Sequence, residues 1–266
     1  IDKLAGSESR APMKSPNRSN EIARSLRALD EKYGTHPAQP FRGWHARGYL
    51  PHCDKPGLLQ FVTFRLDDAM PAERRHEWEA LREIEDERER RTRLEAYLDR
   101  GYGGCRLKDP GVAGLVEQAL HCHDGERYRL CAWVVMPNHV HALFEEWETP
   151  MDKVLYTWKR FTAARANELL GLSGRFWQPE YWDRYMRDGE HFNRARHYIE
   201  SNPVKAGLCA NPADWLWSSA NPKWSWNLKE GQSRYLGGHL ASVNWTKFVE
   251  RARGAGGTRA QPPLQA

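Results

Sequence analysis

Residues 132–145 read AWVVMPNHVHALFE, and this stretch contains the pair of histidines on which the predicted fold and function depend. Two apolar, strand-like runs flank a Pro-Asn pair, which is a turn signal, so the stretch predicts two strands with a short antiparallel connection. The second run places His139 and His141 on either side of Val140. Side chains two residues apart in a strand point to the same face, so Val140 should face the opposite layer.

Two imidazoles on one strand face, with Cα atoms about 7 Å apart, can converge on a single metal ion. The pair alone is weak evidence, because such pairs are more often structural or exposed than metal-binding. A second feature lies further along, where Tyr198 and Asn202 are four residues apart in a predicted helix. One helical turn places these two side chains on the same face, about 6 Å apart along the axis.

This combination favours metal-assisted chemistry on a phosphodiester. The amide oxygen of Asn202 is a competent third ligand for Mg²⁺ or Mn²⁺. A phenol is a poor nucleophile until a nearby cation or base favours the phenolate, and a metal can also polarise a phosphate oxygen. Each residue also has a plainer explanation, since Tyr198 could be a core ring and Asn202, before Pro203, could simply end its helix.

The remaining pattern predicts an α/β (α+β) fold, with helices packed on a small sheet. Residues 58–66 alternate like a strand, and residues 149–171 have an amphipathic helical pattern that ends at a glycine. Asp109 precedes Pro110 in the order expected of a helix N-cap and first turn. The charged residues 71–100 predict a long helix or a helical hairpin that projects from the core.

Composition sets broad limits on the function. With 40% hydrophobic residues and 12 Trp the chain has enough apolar surface for a core, and its net charge of +5 fits an acidic partner such as nucleic acid without establishing one. The five cysteines form no CxxC pair, which favours a reducing cytoplasm. No apolar run approaches the length of a membrane span and no signal peptide opens the chain, so we expect a cytoplasmic protein.

Four stretches together resemble a known family: YLPHCDKPGLLQFVTFRL, AWVVMPNHVHALFE, FWQPEYWDRYMRD and YIESNPVKAGL. They are similar to the single-tyrosine HUH transposases, named for a histidine, bulky hydrophobe, histidine motif, and within these to the bacterial, IS200-like REP-associated tyrosine transposases. The resemblance covers roughly residues 44–219. It implies a ferredoxin-like palm with a central antiparallel sheet, the HUH strand in its middle and the tyrosine helix nearby.

The resemblance also implies a reaction. Tyr198 would attack a phosphate of single-stranded DNA beside a hairpin formed by a REP-like palindrome, giving a 5′-phosphotyrosine link and a free 3′-hydroxyl. His139, His141 and Asn202 would hold one Mg²⁺ or Mn²⁺ ion. Attack by a 3′-hydroxyl would later rejoin the DNA without a nucleotide cofactor. The implied setting is the bacterial cytoplasm, with a substrate in the nucleoid and a monomeric or homodimeric protein.

Several alternatives stay open at this stage. Tyr181 and Tyr185 compete for the role of nucleophile, although the spacing from Tyr198 to Asn202 fits the family better. Two other functions are a DNA-hairpin-binding protein without catalysis and a metallohydrolase that uses water. Four basic residues suit a groove for a DNA backbone as a group, although each singly is more often a plain surface charge: Lys159, Arg160, Arg184 and Arg187.

The predicted domain organisation has three parts. Residues 1–43 form a flexible basic tail, residues 44–220 form the transposase domain, and residues 221–266 form a largely irregular C-terminal extension. Within the domain, the charged insertion at about residues 71–100 could be a DNA clamp, an interaction arm or an inert solvated helix.

Overall fold

The structure is a computed structural model that describes residues 41–47 and 50–224 of the chain. Nearly all of the predicted N-terminal tail and most of the predicted C-terminal extension lie outside the described residues. The boundaries of the 44–220 domain therefore stay a prediction. Within the described part of the chain, no helix has the length and apolar character needed to cross a lipid bilayer.

Strands and helices alternate through the described residues. In chain order they are β1 (Gly43–Arg47), β2 (Leu50–Asp54), β3 (Leu59–Arg65), α1 (Arg75–Arg82), α2 (Glu87–Asp99), α3 (Pro110–His121), β4 (Tyr128–Val135), β5 (His139–Glu146), α4 (Met151–Leu170), β6 (Trp182–Tyr185) and α5 (Gly189–Lys205). Short 3₁₀ turns precede α1 and α3 and follow α5.

The sheet confirms the predicted fold class. Its four strands lie in the order β4-β5-β3-β6, and every neighbouring pair is antiparallel. Leaving aside α1 and α2, the chain follows β3-α3-β4-β5-α4-β6, which is the βαββαβ order of the ferredoxin-like fold. β5 occupies an inner position, as the resemblance implies. β1 and β2 form a separate hairpin that is tied to β6 by the contact between His52 and Asp183.

Helices cover both faces of the sheet, so all seven residues of β3 are buried rather than every second one. On one face, Val62, Phe64 and Val140 join the core formed with α3 and α4, as predicted for Val140. On the other face, Phe61 packs in a second cluster that includes Ile199 of α5. The same strands thus contribute to two different environments.

The charged segment is a helical hairpin, but the prediction that it projects from the core is wrong. α2 buries Leu94, Tyr97 and Leu98, and Leu98 belongs to the main apolar cluster. These three side chains have the i, i+3, i+4 spacing of one helical face. The apolar stripe is short enough to be hidden among the surrounding charges in the sequence, yet it fixes α2 against the domain.

Two of the helix ends that the sequence indicates are confirmed by the structure, and a third is wrong. Asp109 caps α3 by accepting a hydrogen bond from the Val112 amide at 3.0 Å, and Gly171 ends α4 with a φ of 63°. The alternative that Asn202, before Pro203, ends its helix is wrong, because α5 continues to Lys205. A proline in the last turn removes only one helical hydrogen bond near the end, so the helix tolerates it there. Asn202 is therefore held within regular helix.

Candidate active site

The histidine pair of β5 forms the base of the candidate site. His139 and His141 point to the same face, as predicted, and both are almost fully buried. Their Nε2 atoms lie 3.1 Å apart. Two imidazole nitrogens at that separation converge on one point, which a single ion could share.

The opposite nitrogen of each ring has its own partner. The Nδ1 atom of His139 lies 2.8 Å from the Asn138 side-chain oxygen, and the Nδ1 atom of His141 lies 2.7 Å from the Thr63 hydroxyl. In the tautomer in which each Nδ1–H donates to its oxygen, the Nε2 lone pair is left for a metal. Such outer partners orient the rings before any ion arrives.

Burial also keeps both rings in the form that binds metals. It lowers the pKa of His139 to about 3, with a smaller contribution from the charge of Arg65. The pKa of His141 is well below its usual value, first through burial and then through the neighbouring His139. The neutral imidazole is the form that coordinates a metal, so both residues are ready for that role near neutral pH.

Helix α5 brings the predicted tyrosine and asparagine to this face. The Tyr198 ring centroid lies 5.5 Å from that of His141, and the Lys205 ammonium lies 4.5 Å from the centre of the Tyr198 ring. Asn202 is fully buried, and its side-chain oxygen makes no hydrogen bond within the described residues. A buried amide oxygen without a partner costs free energy, which is consistent with an oxygen reserved for a ligand.

An acidic residue that the sequence did not single out also borders the site. Asp99, the last residue of α2, places Oδ1 3.8 Å from Nε2 of His139, and this oxygen is buried without a hydrogen bond within the described residues. Burial raises the pKa of Asp99 to about 6, and the Glu95 carboxylate adds to the rise. Lys205 and the Asn202 amide act in the opposite direction.

The same environment keeps the Tyr198 phenol protonated. Burial is the largest cause of its raised pKa, followed by the negative charges of Glu95 and Asp99. Arg91 on α2 opposes this effect. Without a further cation the phenol is a weak nucleophile, because its anion is disfavoured both by desolvation and by two carboxylates.

The donor atoms fit a divalent ion that accepts nitrogen and oxygen ligands. Two neutral imidazoles and one unpaired amide oxygen are suitable for Mn²⁺ or Mg²⁺. Within residues 41–47 and 50–224, no group of three or more His, Cys, Asp or Glu side chains is placed so that it could hold a metal ion by itself. An ion at the histidine pair would therefore need the Asn202 oxygen as well.

The two competing tyrosines lie in other environments. Tyr181 is buried in the core, with its ring 4.8 Å from that of His52. Tyr185 is half-buried against the ring of Trp44 at 5.9 Å. Of the three candidates, Tyr198 is the one whose ring contacts the histidine pair.

The four predicted DNA-binding residues do not form one cluster with the site. Lys159 and Arg160 lie on α4, which covers the other face of the sheet. Lys159 donates to the carbonyls of residues 178 and 179 at 2.6 and 2.8 Å, and Arg160 donates to the Tyr156 hydroxyl. Arg184 and Arg187 are exposed on β6 and just after it.

Sequence reasoning missed Asp99, Thr63 and Asn138. The sequence indicates only a turn at Asn138, although its position next to His139 allows its side chain to reach that ring. Thr63 pairs directly with His141 in the β3-β5 register, but sequence alone does not give that register. Asp99 ends a run of charges whose default interpretation is a solvated helix.

The fold has the arrangement that the resemblance to single-tyrosine HUH transposases implies. The sequence is similar to a REP-associated tyrosine transposase of Escherichia coli (strain K12), with 33% identity over 98 residues. The matched region is 35% of this chain and 54% of that protein, so the match spans about half of the relative's length. This similarity confirms the resemblance to REP-associated tyrosine transposases.

The chain was also compared with solved structures and with models of protein families. A solved structure of a REP-associated tyrosine transposase bound to a REP hairpin is 20% identical, with a TM-score of 0.40. That alignment covers 70% of this chain and 87% of the other. No family model matches the sequence.

Proposed function

We propose that the protein is a metal-dependent DNA nickase and strand-transferase whose nucleophile is Tyr198. The observation that carries the proposal is the contact of the Tyr198 ring with His141, beside two histidine Nε2 atoms that converge at 3.1 Å. The unpaired Asn202 oxygen one helical turn from Tyr198 supports the same conclusion. The sequence similarity to a REP-associated tyrosine transposase supports the reaction class.

In the proposed reaction, one bond to phosphorus forms as another breaks. The Tyr198 oxygen forms a bond to phosphorus, the bond from phosphorus to the 3′ oxygen breaks, and the phenolic proton is finally held by the released 3′-hydroxyl. The DNA strand that carries the phosphate on its 5′ end stays joined to Tyr198 through that phosphate, and attack by a 3′-hydroxyl reverses the step. Because the phosphodiester energy is kept in the tyrosine link, no nucleotide cofactor is required.

His139, His141 and Asn202 would hold a divalent ion, Mg²⁺ or Mn²⁺. When bound, the ion would supply a positive charge that polarises a non-bridging phosphate oxygen and favours the phenolate. The chain's own residues orient the reaction. Thr63 and Asn138 fix the two imidazole rings, and α5 holds Tyr198 against them.

The proposed substrate is single-stranded DNA that carries a hairpin of the REP type. The exposed Arg184 and Arg187, which come just before α5, are suitable for phosphate contacts near the tyrosine helix. The likeness to a REP-associated tyrosine transposase supports the hairpin as partner.

A covalent-adduct assay tests the proposal. The protein is mixed with labelled single-stranded DNA carrying a hairpin repeat and with Mg²⁺ or Mn²⁺, and a denaturing gel shows whether label migrates with protein. We expect an adduct that disappears with Tyr198→Phe and with a chelator. Tyr185→Phe is the matched control, because it removes a nearby phenol outside the histidine cluster and should leave the adduct intact.

The other outcomes identify the other functions. Cleavage without an adduct would show a hydrolase that uses water. Hairpin binding without cleavage, with both metals, would show a DNA-binding protein that has no catalytic activity. An adduct that persists in Tyr198→Phe would move the nucleophile to another residue.

A further inference from the structure

The charged insertion places one arginine beside the histidine and the tyrosine of the candidate site. On α2, the guanidinium carbon of Arg91 lies 5.0 Å from the centre of the Phe61 ring. The same ring is stacked on that of His141, with centroids 5.4 Å apart, and meets the ring of Tyr198 edge-on at 6.1 Å. Phe61 is therefore a shared contact of the insertion, the histidine pair and the tyrosine helix.

Two contacts hold the guanidinium group of Arg91 in this position. Its Nε atom donates to Oε1 of Glu95 at 2.8 Å, one helical turn away, and the group lies over the Phe61 ring. Its two terminal nitrogens make no hydrogen bond within the described residues. The side chain is 29% exposed, so a ligand from outside can reach these nitrogens. A guanidinium that is fixed at one nitrogen and open at two is suited to an anion.

The charge of Arg91 acts on both groups that the proposed reaction uses. Burial is the largest influence on the pKa of both His141 and Tyr198, and the charge of Arg91 lowers the pKa of each. A phosphate brought to the Tyr198 oxygen would enter the same field. The planar fork of an arginine matches the oxygens of a phosphate, and its charge does not depend on pH in the working range.

We propose that Arg91 contacts the phosphate that Tyr198 attacks, and that the insertion serves to supply this cation. The inference rests on the proposed function, which makes Tyr198 the nucleophile. The transition state carries negative charge on the non-bridging phosphate oxygens, and the guanidinium donates a hydrogen bond to one of them. The bonds that form and break are those of the proposed reaction, and Arg91 keeps all of its protons.

The ion pair of Arg91 with Glu95 also has a purely structural use, because pairs at this spacing stabilise a helix slightly. An arginine with that use alone would matter equally for every DNA. It would show no dependence on the charge of one particular phosphate. The tests therefore measure the reaction rate first and the dependence on single phosphates second.

The rate of adduct formation is the first test. The full chain is mixed with labelled hairpin-bearing single-stranded DNA and with Mg²⁺ or Mn²⁺, as wild type, Arg91→Gln, Arg91→Lys and Arg93→Gln. Arg93→Gln is the matched control, because Arg93 is on the same helix but is exposed and paired with Glu89. We expect the wild-type rate in Arg93→Gln and a rate about 100-fold lower in Arg91→Gln, as for loss of one donor to a transition-state oxyanion. Arg91→Lys should lose less, because it keeps the charge without the fork.

Neutralising single phosphates identifies the contact. A methylphosphonate replaces one non-bridging oxygen by a methyl group and removes the charge at that position. Fluorescence anisotropy measures the affinity for DNAs neutralised at one position each, in a Tyr198→Phe background that prevents cleavage. With unmodified DNA, adding Arg91→Gln should weaken binding about tenfold. With DNA neutralised at the cleaved phosphate, the same change should alter the affinity by less than about twofold, because the partner charge is already absent.

Two further measurements complete the design. The length of the product that ends in a free 3′-hydroxyl gives the position of the cleaved phosphate in the wild type. Circular dichroism of each variant verifies that the fold is kept. A coupling between Arg91→Gln and the cleaved phosphate, together with the slower adduct, would support the assignment.

Several results would overturn the assignment. A wild-type adduct rate in Arg91→Gln would remove the guanidinium from the reaction. An equal loss of affinity with every neutralised DNA would make Arg91 a structural charge, and coupling to a phosphate other than the cleaved one would make it a remote DNA contact. All three leave the proposed function intact. Absence of an adduct with the wild-type protein would refute the proposed function itself, and the assignment to a reacting phosphate with it.

Discussion

The two faces of the central sheet differ in the groups that lie at their centre. On the face covered by α3 and α4, large rings fill the space: Phe64, Tyr128, Phe144 and Trp158 contact one another edge-on or tilted. The polar ends of these rings are used, since the Tyr128 hydroxyl donates to the Leu120 carbonyl at 2.8 Å and accepts from the Trp158 indole at 3.0 Å.

The face covered by α5 and α2 is equally buried but is not satisfied in this way. Oxygens of Asp99 and Asn202 have no hydrogen bond, and the histidine pair is held neutral by burial. The same strands therefore support a stabilising core on one side and a polar site with unpaired buried oxygens on the other. Groups that cost stability are retained where they have a function, and substitutions should distinguish the two faces.

The largest effect on stability is expected on the α3-α4 face. Trp158 is 1% exposed in the middle of the ring cluster, so Trp158→Ala should leave a cavity and lower the free energy of unfolding by about 3–5 kcal/mol. Denaturant unfolding measures the change. Tyr156→Ala on the same helix is the control, because Tyr156 is 49% exposed and should cost about 0.5 kcal/mol or less. Equal costs would mean that this face is not the stabilising core.

At Asn202, in contrast to Trp158, a substitution should leave the stability unchanged and remove the activity. Asn202→Leu keeps the size of the side chain and removes an amide oxygen that pairs with nothing, so the free energy of unfolding should stay level or rise by about 1 kcal/mol. The same variant should lose Mn²⁺ binding and the DNA adduct. Calorimetric titration and the adduct gel measure these losses beside the unfolding curve.

Asn221 provides the matched comparison. Its amide donates to the Ala213 carbonyl at 2.8 Å and its oxygen accepts from the Lys223 amide at 3.1 Å. Asn221→Leu should therefore destabilise the protein by about 1–3 kcal/mol, because its partners are left unsatisfied. If Asn202→Leu were the more damaging of the two, the Asn202 oxygen would not be a reserved ligand.

A smaller effect should appear as a dependence of stability on pH. His121, at the end of α3, is stacked on Trp224 with ring centroids 4.0 Å apart, and burial lowers its pKa to about 3. Its pKa in the unfolded chain is near 6.5, so below that pH the unfolded state binds a proton that the folded state does not. The contribution of His121 to the free energy of unfolding is fully present above pH 6.5. It is lost as the pH falls toward 3, by at most about 1.4 kcal/mol per pH unit.

His121→Phe should keep the stacking on Trp224 and reduce this loss. Unfolding curves between pH 7 and pH 4 measure the slope of the free energy of unfolding for both proteins. The free energy of unfolding of the variant should fall less steeply with falling pH. The difference in slope should correspond to the uptake of at most one proton, about 1.4 kcal/mol per pH unit. An unchanged slope would mean that His121 becomes protonated without unfolding.

Much of the fold and part of the site can be predicted from local sequence. The βαββαβ order follows from short-range patterns: the Asp109 cap, the glycine after α4, and two apolar runs around a Pro-Asn turn. The pairs His139–His141 and Tyr198–Asn202 follow from the periods of a strand and a helix, which are fixed by backbone geometry. These features need only neighbouring residues, so the sequence is sufficient to predict them.

The contribution of α2 to the site depends on a contact between segments distant in sequence. Asp99 reaches His139 across the fold, and local sequence gives no measure of that distance. The apolar stripe that fixes α2 consists of three residues within a run of charges, so the composition of the segment suggested a projecting arm. The path of α5 through Pro203 was also missed, because position within the last turn decides whether a proline ends a helix.

The smallest expected effect concerns the basic residues, and it separates a charge held by backbone carbonyls from charges that are exposed just before α5. Arg184 and Arg187 are exposed, so each changed to Gln should lower the slope of log affinity against log salt by about 0.7 for single-stranded DNA if it contacts one phosphate. Lys159 uses its ammonium group to tie α4 to the carbonyls of residues 178 and 179. Lys159→Met should therefore lower the melting temperature and leave the salt slope unchanged. Fluorescence anisotropy at several salt concentrations measures the slope, and a change with Lys159→Met but with neither arginine would place the DNA on the α4 face, away from Tyr198.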